Sequence, residues 1–280
     1  MEKQWYLVNI PKILHVYFGG RLSYLNYLTI VSFLRHNPGW DVMFYCPVKC
    51  TKKITWTSPE QKYHPTWDDY TPFLKDLPIS IIPIDFKKFG LSNDLSEVHK
   101  SDFIRWHLLS SIGGLWSDMD ILYFRSMNDL AINRPENWYV ETVVSISGYG
   151  HSIGFLMGSY KNKYFTTLHK QSFKAFDKES YQCIGSALCN ELYPNLRSIA
   201  GYPANIGMEA VYYFDADHIF RIFKEDNNIK NIRNIIGIHW YAGHSMAGRF
   251  LNKTNGGLKD LPSNTISNLI REYDTGSQKF

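Results

Sequence analysis

The chain has 280 residues and 44% apolar content, enough to bury the core of one large α/β domain, and no tract reads as a membrane span. Its net charge of +4 includes no basic block, so no nucleic-acid footprint is expected, whereas an anionic small molecule needs only a local patch. Four cysteines, Cys46, Cys50, Cys183 and Cys189, match no zinc spacing and are too few for a disulfide framework, so a reduced, cytoplasmic setting is expected.

Taken in chain order, Met1 to Val8 lacks the apolar run of a signal peptide. Ile10 to Phe18 reads as a buried strand, ended by Gly19-Gly20, where backbone can approach a ligand closely. A helix from Ser23 to Arg35 stops at Asn37-Pro38-Gly39, and Trp40 to Cys46 reads as the next strand. Thr51 to Pro78, polar and broken by prolines, reads as a long loop with short helical pieces, followed by a strand over Ile79 to Ile84. Ser96 to Ile112 is the best helix, with Ser96 as N-cap and Gly113 as a left-handed stop. It leads into a strand that carries Asp118 and Asp120.

Beyond Arg125, strands are expected at Trp138 to Ser147, Ile153 to Ser159, Glu209 to Phe214 and Ile235 to Tyr241, and helices at Lys163 to Ala175 and Tyr181 to Leu192. The last twenty residues read as a peripheral helix with a frayed tail. Asn252-Lys253-Thr254 is a glycosylation sequon that lacks a secretory route. The alternation of strands and helices predicts an α/β fold with a mainly parallel sheet flanked by helices, whose ligands gather at the carboxyl ends of strands.

Two features carry chemistry. In Gly113-Gly114-Leu115-Trp116-Ser117-Asp118-Met119-Asp120, two carboxylates stand one residue apart; on an extended backbone both project to one side while Met119 packs inward. Such hard oxygen ligands suit Mn²⁺ or Mg²⁺, ions that keep positions open for phosphate oxygens, which implies a diphosphate ligand. On the preceding helix, Val98, Trp106, Leu108, Leu109 and Ile112 define an apolar face, and Asp102 and Arg105 fall inside it. Burying two charges costs several kcal/mol per ion unless partners compensate, so the pair either forms an internal i,i+3 bridge or meets a polar ligand. Beside the acidic pair, the ligand reading is preferred. Aromatic residues make up 16% of the chain, which a well-filled core accounts for before base or sugar stacking is invoked.

Ile10-Pro11-Lys12-Ile13-Leu14-His15, Ser101-Asp102-x-x-Arg105 and Gly113-Gly114-Leu115-Trp116-x-Asp118-x-Asp120, in this order, resemble the GT-A fold glycosyltransferases with a sugar-binding Asp-x-Asp motif, among them capsular-polysaccharide and mannosyl transferases and glucosylating bacterial toxins. The resemblance spans residues 10 to 127. It implies a Rossmann-like GT-A domain over 1–280, with a nucleotide-sugar half at 1–127 and an acceptor half at 128–280. It further implies that His15, Val16 and Tyr17 contact the base, with Tyr17 or Phe18 as stacking platform; that Asp102 and Arg105 hold donor sugar and phosphate; that Asp118 meets ribose or metal through water; and that Asp120 binds the metal directly. The late segment His239-Trp240-Tyr241-Ala242-Gly243-His244-Ser245 is similar to the family's closing His and Ser-Trp segment, so either His239 or His244 completes the metal shell; Met246 stands where the Trp is usual.

The compact form is also similar to the capsid-glycan xylosyltransferases of chlorella viruses, which implies UDP-xylose or another UDP-sugar as donor, a glycan acceptor, and the host cytoplasm as setting. The acceptor-activating base is not identified; Glu141, Glu209, Asp215 and Asp217 are the carboxylates considered, none in a diagnostic context. Two alternatives are weighed. A sugar-1-phosphate nucleotidyltransferase should carry a Gly-rich basic loop after the first strand, where this chain has just Gly19-Gly20-Arg21. A non-catalytic sugar-binding module leaves Asp102, Arg105, Asp118 and Asp120 without purpose.

Overall fold

The computed structural model describes residues 10–51, 65–133, 141–147, 150–194, 204–206 and 209–274. In its first strand, β1 (Ile13–Tyr17), side chains alternate between two apolar layers: Leu14 and Val16 enter one, and Tyr17 the other, where His15 lies against Tyr45. A strand buried on both faces reads as a continuous apolar run, which is why Ile10 to Phe18 was legible although the strand itself is shorter.

Next come α1 (Tyr24–His36), β2 (Asp41–Pro47), β3 (Ser80–Ile84), α2 (Glu97–Ser111), β4 (Gly114–Ser117), β5 (Ile121–Tyr123) and β6 (Ile132–Asn133). The second half contributes β7 (Thr142–Ser147), β8 (Gly150–Gly158), α3 (Lys163–Ala175), α4 (Ser186–Leu192), β9 (Ala204–Ile206), α5 (Glu209–Tyr212), α6 (Phe220–Phe223), β10 (Gly237–His239), α7 (Ser245–Lys253) and α8 (Thr265–Asp274). Among the described residues, no helix is long and apolar enough to cross a membrane.

Eight strands form one mixed sheet in the order β3-β2-β1-β4-β8-β7-β9-β6, and β10 pairs with β5 in a separate two-stranded sheet. From β3 to β4 the strands run parallel; β8 is antiparallel to β4, and β7 to β8. Since β2 and β3 lie on one side of β1 and β4 on the other, the strand order reverses between β1 and β4. Ligand crevices open at such switch points, beyond the carboxyl ends of the strands. This is the α/β, GT-A arrangement expected from the sequence.

Several local expectations need correction. Asp118 and Asp120 do not share a strand: β4 ends at Ser117, Met119 and Asp120 form a turn, and β5 leaves the main sheet to pair with β10. The expected strand at Glu209 to Phe214 begins as helix α5, because its apolar side chains are buried by a helical turn packed beside β10. The expected helix at Tyr181 to Leu192 is confined to α4; Gly185, at φ −95° and ψ −127°, is not helical. Ile112 lies outside the buried face of α2 and is exposed. Residues 52–64 of the long loop and 138–140 of the expected strand lie outside the described residues; a 3₁₀ turn at Thr71–Asp76 is the helical piece within the rest of that loop.

Gly113 and Gly114 join α2 to β4 at φ +78° and +102°. A Cβ on Gly114 would stand 2.6 Å from the Ile13 carbonyl oxygen and 3.2 Å from His15 Nε2, so the close approach of β4 to β1 needs glycine there. His15 is fully buried and bonded at both ring nitrogens, Nδ1 to the Tyr45 hydroxyl at 3.0 Å and Nε2 to the Gly113 carbonyl oxygen at 2.8 Å. Burial lowers its pKa to about 4, with the Gly113 carbonyl opposing. The folded state therefore takes up the proton later than the unfolded chain: this contribution is complete above about pH 6.5 and is lost as pH falls toward 4. Urea unfolding at pH 7 and pH 4.5 should lose about 2 to 3 kcal/mol more stability in the wild type than in a folded His15→Gln variant. Equal pH slopes in the two proteins would refute the assignment.

Candidate active site

A cleft of about 290 Å³ opens at the carboxyl ends of β1 and β4, lined on one wall by Tyr17, Phe18 and Gly19 and on the other by Ile153, Tyr181 and Gln182. Asp118, Met119 and Asp120 form its floor. Although the two aspartates sit on a turn, the turn aims both carboxylates at one place. Asp118 N–H continues the β4 ladder by donating to the Gly154 carbonyl at 2.8 Å, and the Met119 carbonyl is gripped from α1 by Asn26 Nδ2 at 2.8 Å and Thr29 Oγ1 at 3.0 Å. Neither Asn26 nor Thr29 was singled out in the sequence. A signal was present: Ser23, Asn26, Thr29 and Ser32 recur at every third position of an otherwise apolar helix, and all four are buried.

Asp102 and Arg105 form the internal bridge, and Arg105 also reaches the acidic turn. Arg105 Nη1 donates to Asp102 Oδ1 at 2.9 Å, the internal bridge, while Nη2 reaches across to Asp118 Oδ1 at 2.9 Å. Its guanidinium lies 4.9 Å from the Trp116 ring centroid, and Trp116 Nε1 donates to the same Asp118 oxygen at 2.9 Å. One cation is thus shared by two carboxylates of the cleft. Burial pushes the Asp102 carboxyl up to about 7, Arg105 pulls it down, and the Asp118 charge adds to the rise. Gly154 leaves space for this arrangement: a Cβ there would stand 2.7 Å from both Asp118 Oδ2 and the Tyr212 hydroxyl.

The late segment supplies the third group. β10 pairs antiparallel with β5 and sets His239 opposite Ile121, one residue from Asp120. His239 Nε2 lies 3.0 Å from Asp120 Oδ1, and ligand atoms of Asp118, Asp120 and His239 all fall within 4.8 Å of one another. Tyr241, at φ +53°, turns the backbone so that Ala242 N–H donates to Asp120 Oδ2 at 2.8 Å. Asp120 is held below the usual carboxyl range: burial opposes this, but His239 and the Ala242 N–H outweigh it. His244 is not in this group; its Nδ1 accepts the Met246 N–H at 3.1 Å and caps α7.

Does this group fit a divalent cation? Asp120 Oδ1 is buried and, despite the nearby imidazole, receives no hydrogen bond of proper geometry. Arg105 is shared by Asp102 and Asp118, and Asp120, within reach of Asp118, has an imidazole and no guanidinium beside it, so the acidic turn carries negative charge that a 2+ ion balances. Two carboxylates and an imidazole are also a donor set that Mn²⁺ accepts. The residues fit.

Of the groups expected to contact a base, His15 and Val16 have buried side chains that do not line the cleft, because period-two alternation and their strand partners turn them into the two cores. Tyr17 and Phe18 do line it, and the Tyr17 hydroxyl donates to Glu97 Oε2 at 2.6 Å. Glu141, Asp215 and Asp217 do not line the cleft, Asp215 being a cap that accepts the His218 N–H; the Glu209 side chain lies outside the described residues.

Residues 48–137 match the family described as a glycosyltransferase sugar-binding region containing a DXD motif. No curated protein matches the sequence. Among solved structures, the glycosyltransferase GlyE of Streptococcus pneumoniae TIGR4 is similar with a TM-score of 0.50 at 12% identity, over 95% of this chain and 61% of that one. The chain thus spans about six tenths of the length of GlyE in that structure, a likeness that bears on the fold. PaToxG glycosyltransferase is 12% identical over 67% of this chain and 70% of its own, with a TM-score of 0.46. The galactosyltransferase LgtC, solved with donor and acceptor sugar analogs, is 16% identical over 81% and 86%, with a TM-score of 0.43. Residues 48–137, which carry the Asp-x-Asp turn, thus match a glycosyltransferase sugar-binding region and lie on a sheet of GT-A type.

Proposed function

We propose that the chain is a metal-dependent glycosyltransferase that moves a sugar from a UDP-sugar to a hydroxyl of a glycan acceptor, residues 1–127 forming the donor half and 128–280 the acceptor half of one catalytic domain. The observation that carries this reading is the convergence of Asp118, Asp120 and His239 on the cleft floor, their ligand atoms all within 4.8 Å of one another. Asp120 and His239 would hold Mn²⁺ or Mg²⁺ directly, and Asp118 would share its carboxylate between the ion and Arg105. When bound, the ion supplies a Lewis acid for the leaving diphosphate as the glycosidic bond breaks.

The protein's own groups do the rest. Arg105 keeps a fixed positive charge beside Asp118 and adds to the field that favours a departing diphosphate. Asp102, with Oδ1 held by Arg105, presents Oδ2 toward Gly185 and accepts sugar hydroxyls there; a Cβ on Gly185 would stand 2.9 Å from that oxygen. Phe18 offers a ring for the base. Cysteine usage favours a reduced, cytoplasmic setting, the host cytoplasm if the chain is virus-encoded.

Calorimetry with UDP in the presence and absence of Mn²⁺ tests the reading, followed by a donor screen over UDP-xylose, UDP-glucose, UDP-galactose, UDP-GlcNAc and GDP-mannose scored by nucleotide release. Tighter UDP binding with Mn²⁺ and release from at least one UDP-sugar are expected. Metal-indifferent UDP binding, or release from GDP-mannose alone, would reject it.

A further inference from the structure

Glu97 opens α2, five residues before Asp102, and its carboxylate sits at the β1 end of the cleft beside Phe18 and Gly19. Three donors hold it. Thr51 N–H and Lys100 Nζ both donate to Oε1 at 2.8 Å, and the Tyr17 hydroxyl donates to Oε2 at 2.6 Å. Lys100 is fully buried, with Nζ also bonded to the Lys49 carbonyl oxygen at 2.7 Å, so an interior cation is dedicated to this position. Gly19 makes room for it: a Cβ there would stand 1.8 Å from Glu97 Oε2. A helix-opening glutamate in solvent needs none of these supports.

A carboxylate oxygen accepts about two hydrogen bonds. Oε1 has two donors, while Oε2 has one and keeps one acceptor site, on a side chain still 21% exposed. We propose that Glu97 reads the donor nucleobase, with Oε2 accepting the N3–H of a uracil ring laid against Phe18; this rests on the nucleotide-sugar reading of the same cleft. One open acceptor matches the single imide N–H of uracil. Guanine presents two adjacent donors on its pairing edge, and cytosine and adenine place beside their amino donor a bare ring nitrogen that a carboxylate at the N3–H position repels. The Lys100 ammonium offsets the carboxylate charge, so the two carbonyls that flank N3–H are not turned away. A ribose hydroxyl is the rival partner for Oε2.

Calorimetry on the full chain with Mn²⁺, using UDP, N3-methyl-UDP, 2′-deoxy-UDP and CDP, separates these outcomes. N3-methyl-UDP and CDP should bind at least ~10-fold more weakly than UDP, and 2′-deoxy-UDP within ~3-fold, because a buried acceptor deprived of its donor discriminates strongly. In Glu97→Gln the UDP-to-CDP preference should shrink ~10-fold, since the amide N–H can face cytosine N3. Should that variant fold poorly, the wild-type comparison of UDP with N3-methyl-UDP decides by itself. Equal affinity for those two ligands, or a selective loss with 2′-deoxy-UDP, overturns the Glu97 assignment and leaves the donor reading standing. If no nucleoside diphosphate binds with or without Mn²⁺, both fall.

Discussion

Asp120→Asn should bind UDP no better with Mn²⁺ than without it, a loss of ~100-fold or more in metal-dependent affinity, while the protein stays folded. Removing an outer partner that merely orients a metal ligand already costs ~10- to 100-fold, and Asp120 is read here as a direct ligand. Asparagine has the size of the carboxylate, and its carbonyl can still accept the Ala242 N–H that ties the late segment to the acidic turn. What it lacks is the charge, which His239 Nε2 faces at 3.0 Å from Oδ1. Stability should fall modestly, since His239 and the Ala242 N–H favour the ionised carboxylate in the folded state. Two measurements decide: a thermal melt within a few degrees of wild type, and calorimetry of UDP with and without Mn²⁺. A folded variant that keeps the metal response would remove Asp120 from the metal site.

What the sequence revealed about this site follows from which residues look out of place. Asp102 and Arg105 are charges on an apolar helix face, and Asp118 and Asp120 end an apolar run, so all four were identifiable as anomalies; the structure places all four on the cleft. Glu97 was invisible for the opposite reason. A glutamate in the first turn of a helix is the commonest of patterns, and its buried partner Lys100 looks, as text, like any solvated lysine. His239 and His244 could not be told apart, because their difference lies in pairing: β10 zips against β5 and carries His239 to Asp120, whereas His244 begins a helix.

The same logic explains the misread elements. The Asp-x-Asp segment alternates like a strand, yet Met119 is held by two side chains of α1, so the chain turns there instead of extending. Residues 209–214 are short and apolar, and periodicity over so few positions does not separate a strand from a buried helical turn. β1 and β2 were legible because each is clamped by parallel neighbours on both sides, so both faces are covered and the strand reads as an apolar run.

Replacement of Arg105 should do the greatest damage to both folding and turnover, and the two losses should separate by variant. In Arg105→Met, Asp102 and Asp118 are left facing one another without the cation they share, and breaking a buried pair from one side costs about 3 to 5 kcal/mol. That penalty should depend on pH. Burial already lifts Asp102 to about 7 against the pull of Arg105, so without Arg105 it rises further above its unfolded value near 3.9. Wild type and variant both hold this proton up to about pH 7, but above it only the variant keeps it, so the extra loss of stability sets in as pH climbs through 7, and urea midpoints should differ least below pH 6 and diverge at pH 8 to 9. Arg105→Lys keeps the charge but, as a point cation, cannot span two carboxylates whose oxygens are met by separate nitrogens of a planar fork. It should fold with a smaller loss of stability and still turn over ~100-fold more slowly, because Asp118 loses the contact that fixes its carboxylate and the diphosphate loses an oriented positive field. Near-normal kcat in Arg105→Lys would show that charge alone suffices; a pH-independent penalty in Arg105→Met would show that the fork is not what keeps Asp102 ionised.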